Sequence, residues 1–166
     1  MDLLVVCTGN AARSVMAGAA LEATVPGARV ATAGTLVIDG QPMSWRTRAA
    51  LEGVGLAIPD HRSRQAAPID LERSDLVVAL APEHVQWVRR QHPKAAARTA
   101  TLHRLVRDLP RDPRSLSERV ASLGLAAVQL GDWEEVVDPG GGDADTFLAC
   151  AREIVELVGR LAPALS

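Results

Sequence analysis

Apolar runs and helix-period stripes alternate along this chain. Leu3-Leu4-Val5-Val6 is continuously apolar and stops at Cys7. A short run without polar alternation is how a strand buried on both faces reads. Residues 14 to 24 then read as a helix, rich in Ala with Met16 and Leu21, in which Gly18 costs about 1 kcal/mol relative to Ala. Residues 29 to 33 read as a second strand closed by Gly34, and 44 to 52 as a helix capped by Ser44 and ended by Gly53 and Gly55. Residues 76 to 80 form the clearest third strand. Pro82 opens a helix to about Arg90. A fourth strand is expected over 98 to 102, a loop with Pro110 and Pro113 over 104 to 114, and a helix over 115 to 123. The last helix is expected from Asp143 to Leu161. Phe147, Cys150, Ile154, Val158 and Leu161 share one of its faces, which makes Cys150 a core residue. Strand and helix alternation predicts an α/β three-layer sandwich: a four-stranded, mainly parallel sheet with helices on both faces. The 166 residues make one domain, 1–166.

Composition narrows the classes of function. The formal net charge is −2, no basic run occurs, and there is no Tyr and a single Phe. Neither a nucleic-acid surface nor a membrane surface is expected. Two cysteines, Cys7 and Cys150, make no disulfide framework, and the first apolar run is too short for a signal core or a span; a cytoplasmic protein is expected. Lys94 is the only Lys beside many Arg, which carries no functional signal.

The chemistry concentrates at Cys7-Thr8-Gly9-Asn10-Ala11-Ala12-Arg13-Ser14. A strand ends and a helix begins within these eight residues. Unpaired N–H groups at a helix N-terminus, aided by its dipole, form a ready anion site. Gly9 lets the loop wrap closely, and Asn10 tolerates left-handed backbone and can brace it. The fork of Arg13 can hold two phosphoryl oxygens, and the same positive surroundings favour a thiolate at Cys7. Ser14 can donate to that thiolate. A nucleophile would thus face a bound phosphoryl group. His61, His84, His92 and His103 show no metal-ligand spacing, and the chemistry expected needs neither metal nor cofactor. From the residues alone, Asp138-Pro139 could be an acid or a plain turn. Trp45 could be a pocket wall or a core residue, while Trp87 and Trp133 are expected to pack.

The segment from Val5 to Ala17 resembles the signature of the low-molecular-weight protein tyrosine phosphatases. Further segments fall in that family's order: Ala31-Thr32-Ala33-Gly34-Thr35, His61-Arg62-Ser63-Arg64-Gln65, Asp75 to Leu80, and Asp138-Pro139. The resemblance implies that Cys7 is a nucleophile forming a phosphocysteine. Thr8 through Ser14 would bind phosphate, with Arg13 on the phosphoryl oxygens. Ser14 would stabilise the thiolate, and Asn10 would brace the loop with His61 as its partner. Asp138 would be the acid that protonates the leaving oxygen and then activates water. The substrate would be a phosphotyrosine protein or a small aryl phosphoester, and inorganic phosphate the product.

Three departures from the family pattern matter. Ala11 and Ala12 stand where many members carry a bulky aliphatic residue and a second Cys. Gly140-Gly141-Gly142 replaces aromatic residues after Asp138-Pro139. The expectation is a wider pocket with a bare acid loop, to which Trp45 could add an aromatic wall. Two alternatives share the loop: a thiol-coupled arsenate reductase, and a phosphate-binding module without turnover.

Overall fold

The computed structural model describes residues 1–166. Four strands, β1 (Asp2–Cys7), β2 (Arg29–Gly34), β3 (Leu76–Ala79) and β4 (Thr99–Thr101), make one sheet in the order β2-β1-β3-β4. Every pairing is parallel, so the expected "mainly parallel" sheet is wholly so. The connections are helical: α1 (Arg13–Thr24), α2 (Trp45–Gly53), α3 (Pro68–Arg73), α4 (Pro82–Gln91), α5 (Leu102–Asp108), α6 (Leu116–Ala121) and α7 (Ala144–Leu165).

Side chains alternate across β1, and this sorts the core into two layers. Leu3, Val5 and Cys7 join a cluster of 31 buried residues with α1, α5 and α7. Leu4 and Val6 join a smaller cluster of 10 with Val85 and Val88 of α4 and Leu71 of α3. The larger layer therefore carries most of the hydrophobic stabilisation, and Cys7 belongs to it. Gly18 is explained by close approach: a Cβ there would lie 2.6 Å from Thr32 Cγ2, so α1 packs tightly on β2 because position 18 has no side chain.

Several expectations need correction. The loop expected over 104 to 114 is helical to Asp108, because Thr101 caps α5 by accepting from Arg104 N–H and the prolines come only afterwards. The short α3 and the 3-10 turn Pro93–Arg98 were not anticipated, since their apolar stretches are too brief to show a period. The last helix continues past Leu161 to Leu165, with Pro163 inside it. Trp133 does not pack in the core; it is 44% exposed and stacks beneath Arg107, 3.9 Å from ring centroid to guanidinium carbon. Trp87 is half-buried against the smaller cluster, and Cys150 is buried as expected.

Candidate active site

The C-terminal ends of β1 and β2 meet the start of α1, and the loop of residues 7–14 turns there. Its position is dictated from three sides. The N–H groups of Thr35 and Leu36, just past β2, donate to the carbonyls of Cys7 and Thr8. Thr47 of α2 donates its hydroxyl to Ala11 O at 3.1 Å. His61 Nε2 lies 2.7 Å from Asn10 O.

Asn10 is the only non-glycine residue with positive φ, at 50°, and it is fully buried. Its amide nitrogen donates to Ser14 Oγ at 2.9 Å and Thr32 Oγ1 at 3.0 Å, and its amide oxygen accepts from Arg64 N–H at 3.0 Å. These bonds offset the strain of a left-handed conformation. They also place the Ser14 hydroxyl. Its oxygen accepts from Asn10 and, while Cys7 is a thiol, from Cys7 Sγ 3.0 Å away; its own hydrogen is free to turn to the sulfur once that is a thiolate.

Ala12 precedes α1 without any side-chain cap, so the first N–H groups of the helix are left for an anion. Arg13 is 3% exposed and points across the loop, donating from Nη1 to Val136 O at 3.0 Å. Its Nη2 lies 3.4 Å from Asp138 Oδ2. The other carboxylate oxygen of Asp138 accepts from Gly140 N–H at 3.0 Å. A buried ion pair anchors the approach to Asp138. Glu134, wholly buried, accepts from Arg104 Nε and Nη2, Thr101 Oγ1 and Gly131 N–H. Burial pushes the Glu134 carboxyl up, but these donors outweigh it and hold the group below the usual range.

A cavity of about 280 Å³ is lined by Cys7, Gly9, Ala11, Ala12, Arg13, Ser44, Thr47, Asp138, Gly140 and Phe147. Cys7 and Asp138, 131 positions apart, thus share one wall-to-wall space. Larger depressions open at the other end of the sheet, but none joins a thiol to an acid and a guanidinium. The cavity's lining omits Thr8, Asn10 and Ser14, which sit behind it, and Trp45, which is 62% exposed between Ser44 and Thr47 and stacks with Arg46. Trp45 is therefore not the core residue that was one of its two expected readings. Sequence reasoning missed Ser44, Thr47 and Phe147 as lining, Thr32 and Arg64 as braces, and the Val136 carbonyl as the seat of Arg13. Their residue types carry no signal without the fold. Burial, reinforced by Glu153, raises the Cys150 thiol to about 12, which opposes a thiolate relay to Cys7.

Comparison with known proteins follows the same line. A match to the family of low molecular weight phosphotyrosine protein phosphatases spans residues 2–118, most of the chain. The chain belongs to that family. It is a cysteine-dependent phosphatase that hydrolyses phosphomonoesters. A low molecular weight protein-tyrosine-phosphatase of Streptomyces coelicolor is 37% identical over 158 residues, 91% of this chain and 84% of the relative. A protein-arginine-phosphatase of Geobacillus stearothermophilus is 29% identical over 164 residues, 98% of this chain and 95% of the relative. The solved structure of the YwlE arginine phosphatase from that organism superposes with a TM-score of 0.77, covering 97% of this chain and 90% of that one. That structure shares the α/β architecture described above. No helix of this phosphatase is long and apolar enough to cross a membrane.

Proposed function

We propose that this phosphatase acts on protein phosphotyrosine or a similar aryl phosphomonoester, with Cys7 as nucleophile, Arg13 as phosphoryl clamp and Asp138 as acid and base. The observation that carries the reading is the single cavity bounded by Cys7, Arg13 and Asp138. The phosphoryl group would sit on the open N–H groups of α1, its oxygens held by Arg13. The Cys7 thiolate attacks phosphorus as the P–O bond to the leaving group breaks, and Asp138 gives that oxygen its proton. Ser14 donates to the sulfur in the free enzyme and assists its departure later. Water then attacks the phosphocysteine, the P–S bond breaks back to thiolate, and the Asp138 carboxylate takes the proton of the water. Inorganic phosphate leaves. Charge is neutralised by Arg13 and backbone N–H groups throughout, so no metal step enters.

Steady-state assays on an aryl phosphate test the assignment. Cys7→Ser should abolish phosphate release. Asp138→Ala should reduce kcat by about 100-fold with poor leaving groups and far less with good ones. An equal loss with both kinds of leaving group would move the acid role elsewhere.

A second substrate reading is phosphoarginine, where the bond broken is P–N. Two observations favour it: beside Asp138 the acid loop brings only Gly140 to the cavity, leaving Phe147 as the one aromatic residue on its walls, and a relative named as a protein-arginine-phosphatase aligns over 98% of the chain. The ratio of kcat/KM for phosphotyrosyl and phosphoarginyl peptides decides between the two.

A further inference from the structure

His84 lies outside the machinery described so far, yet it touches the catalytic loop. It stands in the first turn of α4 and is 1% exposed. Its Nε2 is 2.9 Å from Thr8 Oγ1 and 3.5 Å from Glu83 Oε1. Its Nδ1 is buried with no partner. A buried N–H without an acceptor is rarer and costlier than a buried lone pair without a donor. Both neighbours of Nε2 can accept. The proton therefore belongs on Nε2, and the imidazole donates to the Thr8 hydroxyl.

That bond closes a frame around the residue next to the nucleophile. The Thr8 carbonyl is held by Leu36 N–H at 3.1 Å and the Cys7 carbonyl by Thr35 N–H at 3.0 Å, both from the β2 side. His84 holds the Thr8 side chain from the opposite side of the sheet end, where α4 packs. The hydrogen-bond partner of the Thr8 hydroxyl is His84.

We infer that His84 is a positioning residue of the catalytic loop: as the neutral Nε2–H tautomer it fixes Thr8, and through Thr8 the backbone from which Cys7 attacks. Burial and the nearby Arg13 both oppose a positive charge on the ring, against the pull of Asp138. Glu83, on the same helix, is the remaining charged neighbour. An imidazole kept neutral holds one donor in one place, whereas an imidazolium would bring a second charge beside Arg13. The inference rests on Cys7 being the nucleophile.

The test is a double-mutant cycle read in kcat and KM on an aryl phosphate. His84→Leu should lower kcat about tenfold, because a small misplacement of reacting groups costs rate. KM should stay within about twofold, since the groups that bind phosphate are untouched. Thr8→Val should cause the same loss, and the double variant no more than either alone. His84→Gln, whose amide N–H can reach the hydroxyl, should recover much of kcat. Chemical denaturation of each variant accompanies the kinetics. Independent, multiplicative losses in the cycle, or a His84→Leu enzyme less stable but with wild-type kcat, would overturn the inference. Retained turnover in Cys7→Ser would instead overturn the reading it rests on.

Discussion

At the scale of single residues, the site depends on side chains whose cost is met by specific partners. Asn10 tolerates φ of 50° because its amide makes three hydrogen bonds that hold the loop and orient Ser14. His84 is the opposite case, a group kept uncharged. Burial foremost, and Arg13 next, push its pKa down from 6.5 to about 3, Asp138 pulling weakly the other way. The unfolded chain takes up this proton near the ordinary value, the folded chain only near the depressed one. The contribution of His84 to stability is therefore full above the unfolded pKa and is lost as pH falls toward the folded one. Between pH 7 and pH 5 the loss is about 2 kcal/mol. Urea unfolding of the wild type and His84→Gln at the two pH values should show a pH dependence smaller in the variant by about that amount. Equal pH dependence in both would refute it.

At the scale of elements, the decisive contact is between the end of β2 and the loop after β1. Gly34 pairs with Cys7 in the parallel register. A Cβ at position 34 would run into the Thr8 carbonyl oxygen and the Val37 side chain and lie 3.0 Å from Asn10 N. Two of these obstacles are backbone of the loop of residues 7–14, which cannot rotate aside. Gly34→Ala should therefore lower kcat by at least about tenfold by displacing Thr8 and Asn10. If steady-state kinetics show wild-type kcat in Gly34→Ala, packing against β2 is not what shapes the loop. The strands and long helices of this framework were legible from apolar runs, caps and prolines. The helix α5 was not, because its stripe is short and the prolines that follow it dominate the pattern. Nor was the seat of Arg13: Val136 reads as one more apolar residue, and only its carbonyl, presented to Arg13, gives it a part in the site.

At the scale of the whole molecule, an anion in the cavity ties together β1, α1 and the segment that carries Asp138. A ligand that binds only the folded state stabilises it by about 2.7 kcal/mol at 100 times its Kd. Inorganic phosphate should raise the melting temperature of the wild type accordingly. Arg13→Lys should lose most of that rise, because an ammonium cannot hold two oxygens as a fork does. An undiminished rise would place the phosphate elsewhere. By itself the sequence determined the α/β class with a mainly parallel sheet and singled out Cys7 and Arg13, the nucleophile and clamp proposed above. Each of these rests on neighbours within one strand–loop–helix unit, where local geometry follows from local residue types. Tertiary structure decided the rest. It brought Asp138 to within 3.4 Å of Arg13, placed Ala11, Ala12 and Phe147 on the walls of one cavity with them, and set His84 beneath the loop. These contacts join residues far apart along the chain, so no spacing or periodicity encodes them. They exist only once the sheet has closed its strands in register and the helices have packed on its two faces.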